Sequence, residues 1–409
     1  MKIAQLTPGI ITSLLVTFSA CSTSKVDVDA ATSSDAQATT LHERLWVGTG
    51  EYDAKQNWHA ILKFDPAESL SGEFAPQATL PVNDLVDSSG VHLSFGHGLF
   101  LDEANDELYV AALFTRQDGQ ACSPCNPQDP VQPGSIGVIS GASKASGKAT
   151  LTRHIFGGDD PASDKTTIVQ PHGVWKDNSR NILYVANTFG STVLAFHDAT
   201  HANGNVAPTR TFTSPMLGNA VFPYLDEGSD RLFIASMGGR TAGGTALLIF
   251  NNASTTAGAA DPNVRITGDK TRLGAGNNQT THNVWYSGTR KLIMAAHHTN
   301  EILLFDANAI DMESAATRDY DIAPRVIDAS ESDATLADTS VYGLFYLEEQ
   351  DRMYVSVGIR GDGSKANRVV VYENVSSAAT NGRVAPARTI QWTTRSTYYP
   401  PQPLWVTRY

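Results

Sequence analysis

The 409-residue chain holds three cysteines, Cys21, Cys122 and Cys125, so one internal disulfide is the most it can form. It is short of basic residues: 30 Lys and Arg stand against 42 Asp and Glu, a formal net charge of -12. A nucleic-acid partner calls for a basic face and anionic lipid for a polybasic patch, and this composition provides neither. No long helical pattern occurs, and neither do a Gly-rich phosphate loop, a Ser-centred nucleophile elbow or an HExxH motif. The leading apolar stretch, from Ile10 to Phe18, is too short to span a membrane as a helix. What remains is 18% charge with 33 Gly and 19 Pro, a composition that suits strands and turns.

The first residues read as an export signal. Lys2 supplies a positive start, the apolar stretch follows, and Ser19 and Ala20 precede Cys21. Ser19-Ala20-Cys21 resembles the lipobox of bacterial lipoproteins, which implies a lipidated Cys21 as the mature first residue. Phe18 departs from the aliphatic residue usual there, so an ordinary cleaved signal stays open. Ser22 after the Cys implies, by the same resemblance, sorting to the outer membrane. The expected organisation is a signal over 1–20, a lipidated Cys and flexible tether over 21–40, and one folded domain over 41–409. The tether expectation rests on its Ser, Thr, Ala and Asp, which bury too little to offset ordering entropy. Cys122 and Cys125 are then left as a pair. In an oxidising compartment they read as a disulfide staple, with redox or half-zinc chemistry as the alternative.

Internal repetition organises the rest. One unit runs His172-Gly173-Val174-Trp175, Leu183-Tyr184-Val185-Ala186, Thr192-Val193-Leu194-Ala195-Phe196 and Thr209-Arg210-Thr211-Phe212. These are four short β-rich runs separated by Asp, Asn, Ser and Gly turns, the pattern of an antiparallel meander. Its opening run recurs at His97, Val221, His282 and Tyr342, and a Pro-then-Arg mark recurs near the fourth run, as at Pro324-Arg325. Pro there fits an outer edge strand, where a missing N–H is harmless. Runs two to four of a sixth unit begin at Leu45-Trp46-Val47, and their missing opening run lies at Gln402 to Val406. The expected fold is therefore all-β: a six-bladed β-propeller of four-stranded antiparallel blades, the first closed by the C-terminal strand. The segments Asn203-Gly204-Asn205-Val206-Ala207-Pro208 and Asn381-Gly382-Arg383-Val384-Ala385-Pro386 resemble a recurring piece of NHL-repeat, YncE-like and lactonase-like bacterial propellers.

Opening strands line a propeller's channel in one direction, so Gln402, His97, His172, Val221, His282 and Tyr342 should meet at one mouth. Three imidazoles and a Gln carbonyl suit one divalent metal: zinc, manganese or iron. The pattern is similar to that of metal-dependent propeller lyases, although no clear base accompanies it beyond Tyr342. His282 precedes Leu292 by ten residues where the other units keep eleven, so its side chain could point elsewhere. The same His residues could instead bond turn backbones beside Phe100, Trp175 and Trp285. His297 and His298 read as a loop pair, and Asp159, Asp160 and Asp164 as a solvated acidic loop. Arg360-Gly361-Asp362 reads as a chance tripeptide, and Trp46, Trp175, Trp285 and Trp405 as packing between blades. The expected function is an outer-membrane lipoprotein acting as a monomeric binding or scaffold module. Its partners would be the membrane through its lipid, and an envelope protein or small molecule. The alternative is a metal-dependent lyase or lactone hydrolase at the channel mouth.

Overall fold

A computed structural model describes residues 42–49, 59–116, 133–158, 160, 162–237, 244–274, 281–297, 299–329, 339–359, 368–392 and 404–409. Cys21, Cys122, Cys125, Asp159, His298, Arg360 to Asp362 and Gln402 lie outside these residues, as do the expected signal and tether.

The chain forms six antiparallel sheets, the blades of one propeller. Blade 2 contains strands His92–Asp102, Glu107–Arg116, Ser135–Ser140 and Arg153–Ile155. Blade 3 contains Gly173–Asp177, Ile182–Asn187, Thr192–His197 and Arg210–Thr213. Blade 4 contains Asn219–Asp226, Arg231–Met237, Ala246–Asn251 and Val264–Ile266. Blade 5 contains Thr281–Ser287, Leu292–His297, Glu301–Asp306 and Arg325–Asp328, and blade 6 Thr339–Leu347, Arg352–Ile359, Arg368–Glu373 and Arg388–Gln391. Blade 1 begins with Glu43–Thr49, Ala60–Phe64 and Ala78–Pro81 and takes its inner strand, Leu404–Arg408, from the other end of the chain. Trp405 pairs with Trp46 across that seam. The seam is tied further by Glu43, which accepts from Arg352 Nη1 at 2.5 Å and from the Tyr354 hydroxyl.

Middle strands such as Ile182–Asn187 are buried along their whole length because both sheet faces pack on neighbouring blades. Five inner hairpins turn through a left-handed residue at one equivalent position: Asp106, Asn181, Asp230, Lys291 and Asp351, with φ of 52–54°. Asn and Asp tolerate that conformation better than other side chains, which explains the turn composition.

Each outer strand is covered by the following blade. Gly204 N donates to the His154 carbonyl at 2.7 Å, and Asn203 Oδ1 accepts from His154 N at 2.8 Å. Gly382 and Asn381 repeat the arrangement on Val326, at 2.6 and 3.1 Å. Gly258–Ala259, Arg318–Tyr320 and Gly72–Glu73 pair in parallel with the outer strands of blades 3, 4 and 6. Gly147 N donates to the Thr79 carbonyl of blade 1 at 2.6 Å. The recurring Asn-Gly segment is therefore an edge cap. Gly204 and Gly382 sit there at φ 69° and 72°, a left-handed turn that favours glycine.

Candidate functional site

Strand pairing sets the register of the mouth. The inner strands end at Asp102, Asp177, Asp226, Ser287 and Leu347, opposite Glu107, Ile182, Arg231, Leu292 and Arg352. Counting back five residues from each end gives His97, His172, Val221, His282 and Tyr342. His282 is therefore in register, which corrects the expected slip: the equivalent of Leu183 is Ile293, not Leu292, since Leu183 pairs with Phe196 and Ile293 with Phe305. Trp405, opposite Trp46, matches Trp175, opposite Tyr184, so the sixth position by count is Gln402.

The inner strands break their ladder at this point. Register shifts fall between Gly96 and Gly98, Ala220 and Phe222, Thr281 and Asn283, and Val341 and Leu344. A bulge leaves one residue unpaired and re-aims its side chain, and here it turns His97, Val221, His282 and Tyr342 into the channel. His172 lies just before its strand, with its N–H donating to the Ala186 carbonyl at 3.2 Å.

The three imidazoles come together. Ring centroids are 4.2 Å apart for His97 and His172, 6.2 Å for His97 and His282, and 6.4 Å for His172 and His282. The Tyr342 ring packs on His282 at 4.9 Å. All four side chains are buried, with Val221, Phe222, Asn283 and Gly343 completing the lining. The space left among them is about 10 Å³, close to what one water occupies. Burial holds His172 down to about 4, against a small opposing pull from the Gln170 carbonyl beside Nδ1, so its ring is neutral at pH 7. The described lining residues include no carboxylate. Among the described residues no group of three His, Cys, Asp or Glu side chains is arranged to hold a metal ion. His97 and His172 meet edge to face at 61°.

Three residues further along, the channel is sealed. Phe100, Trp175, Tyr224, Trp285, Phe345 and Trp405, one from each blade, form a closed ring. Neighbouring centroids are 5.3, 4.8, 4.8, 4.6, 5.1 and 4.7 Å apart. Trp175 and Trp405 also meet across the axis at 5.3 Å. Trp175, Trp285 and Trp405 therefore pack between blades, as expected, and do so on the axis, where they plug the channel. Trp46, on a second strand, is wholly buried in a blade. Sequence reasoning set Phe100 beside Trp175 and Trp285 but passed over Tyr224 and Phe345 as members of this layer, although the fixed three-residue offset from the mouth position would have found them.

Other candidates dissolve into structure. His297 is a buried strand residue, not a loop residue, with Nδ1 on Thr299 Oγ1 at 2.6 Å and Nε2 on the Leu273 carbonyl at 3.0 Å. Asp160 and Asp164 accept from backbone N–H groups two residues on.

No protein-family model matches the chain, and no curated protein sequence matches it. Solved structures are similar in fold only. A protein named as a 6-phosphogluconolactonase from Bacteroides uniformis is 11% identical over 81% of this chain and 78% of its own, with a TM-score of 0.46. One named likewise from Bacteroides fragilis is 12% identical over 87% and 83%, with a TM-score of 0.46. A protein from Lactobacillus plantarum is 14% identical over 87% and 83%, with a TM-score of 0.47. By its own strand topology the chain is an all-β, six-bladed propeller.

Proposed function

We propose that this chain is a ligand-binding module of the bacterial cell envelope whose seat is the histidine-lined channel mouth. The observation that supports it is the convergence of His97, His172 and His282 from three blades within 4.2–6.4 Å. Imidazoles without a carboxylate favour zinc or iron over manganese, and far over magnesium or calcium. The donors fit such an ion in kind. Their rings must still turn to gather their nitrogens, and Gln402 would supply a fourth donor. The space of about 10 Å³ admits an ion, or the tip of a larger ligand whose bulk would lie outside it. Protein lacking residues 1–40 should take up one equivalent of zinc in calorimetry and metal analysis. His172→Ala should lower that affinity at least 100-fold with the thermal midpoint little changed. Wild-type protein that stays metal-free after incubation with zinc, iron and manganese would remove the metal and leave a plain scaffold.

The envelope placement rests on the Lys2-to-Cys21 pattern. Cys21→Ala should convert a detergent-extracted protein into one released without detergent, and unchanged extraction would defeat the anchor. A lyase or lactone hydrolase is the second reading, favoured by the Tyr342 phenol packed on His282 at 4.9 Å. Turnover of a lactone or uronate polymer by zinc-loaded protein, abolished in Tyr342→Phe with zinc content intact, would establish it.

A further inference from the structure

We infer that Gly98 is a positioning residue of the mouth, setting the distance between His97 and His172 by letting their two blades touch backbone to backbone. As a role in ligand binding this rests on the reading of the mouth as a binding seat. A Cβ on Gly98 would lie 2.4 Å from the His172 carbonyl oxygen and 2.9 Å from Gly173 Cα. A Cβ on Gly173 would lie 2.7 Å from the Val221 carbonyl oxygen and 2.9 Å from Phe222 Cα. The contact is the same at two successive interfaces: the residue after one mouth position abuts the carbonyl of the next blade's mouth position. Neither glycine has the left-handed φ that favours glycine, so close approach and not conformation explains its presence.

The contact bears directly on the site because the carbonyl against Gly98 belongs to His172 itself. Relieving a 2.4 Å approach to ordinary contact needs a shift on the order of 1 Å, whereas metal–ligand distances tolerate about 0.2 Å. At the same position blades 4 and 5 carry Phe222 and Asn283, whose side chains line the seat, and blade 6 carries Gly343, where a Cβ would come no nearer to backbone than 3.4 Å, from Leu404 N. Gly98 thus lets the His97 and His172 rings come to 4.2 Å, while His282 reaches them from across the channel at 6.2 and 6.4 Å.

The test compares Gly98→Ala with Gly137→Ala in protein lacking residues 1–40. Gly137 is in the same blade, and its Cβ would meet leucine side chains, Leu93 Cδ1 at 2.5 Å and Leu151 Cδ2 at 3.0 Å, which can move. Zinc affinity and the nuclear Overhauser contact between the His97 and His172 rings are measured alongside thermal unfolding. Gly98→Ala should lose the ring contact and bind zinc at least 100-fold more weakly with every donor retained. Gly137→Ala should keep both, whatever either variant does to the midpoint. A Gly98→Ala protein with wild-type ring contact and affinity overturns the inference. So does one that fails to fold while Gly137→Ala folds, since Gly98 would then serve the fold and not the site. If wild-type protein takes no zinc, the metal reading fails by itself and the ring contact alone decides the role of Gly98.

Discussion

Several histidines in this chain owe their state to burial. His59 is held down to about 3, and burial also lowers His154 and His297, with Asp87 partly opposing the effect at His154. A neutral buried imidazole takes up its proton only after the unfolded chain has taken up its own. Its contribution to stability is therefore complete above about pH 6.5 and is lost as the pH falls from there toward 3 for His59. One such group tilts stability by up to about 1.4 kcal/mol per pH unit across that window. Urea unfolding at pH 7.5 and 5.0 should show a large loss in the wild type and a smaller one in His59→Gln; parallel losses would refute the assignment. The mouth histidines were legible in the sequence because each stands at one offset from a repeated hairpin. His59 and His154 were not, since what buries them comes from chain distant in sequence: His154 lies under Asn203 and beside Asp87.

At the scale of the blade, the rim is held by cations reaching into the next sheet. Arg153 donates to the Ala199 carbonyl, Arg210 to Ala253 and Thr256, and Arg388 to Ala67. Lys63 serves blade 1 by donating to the Ser143 carbonyl, and Arg265 pairs with Asp319 from blade 4. Arg325 is the fullest case, with Nη1 and Nη2 reaching the carbonyls of Ser377, Thr380 and Val375 at 2.5–2.8 Å. The Arg of the Pro-then-Arg mark was visible in the sequence, but its purpose was not, because its acceptors lie about fifty residues downstream in the following blade. Arg325→Met keeps the aliphatic stem and strips three carbonyls of a charged donor, which should cost about 2–4 kcal/mol. Hydrogen exchange should rise locally in residues 374–382 before the blades open globally. Unaltered exchange there would show that water replaces the guanidinium without loss.

For the whole molecule, closure depends on one short strand. Leu404–Arg408 completes blade 1, and Trp405 supplies one of the six rings that seal the channel. The split blade was legible because its two parts complement each other at the ends of the chain. The seal was only partly legible: Trp recurs at 175, 285 and 405, but Phe100, Tyr224 and Phe345 share the layer, so no single residue type marks all six positions. Its energetics are those of packing, since Trp175 and Trp405 Nε1 are buried with no hydrogen-bond partner among the described residues. That separates two substitutions at Trp405. Trp405→Phe removes an unsatisfied donor and leaves an aromatic ring to meet Phe100 and Phe345, so the volume lost is partly offset. Trp405→Ala opens a cavity on the axis of a rigid ring, where six blades leave little freedom to collapse, and should cost about 3–5 kcal/mol. Deleting residues 404–409 adds the loss of five paired positions along Glu43–Val47 and leaves that edge open. The expected order of resistance to proteolysis and heat is wild type, then Trp405→Phe, Trp405→Ala and the deletion, with the deletion insoluble or rapidly cleaved. A deletion protein that unfolds at the wild-type temperature would mean that the seam between Glu43–Thr49 and Leu404–Arg408 does not hold the ring shut.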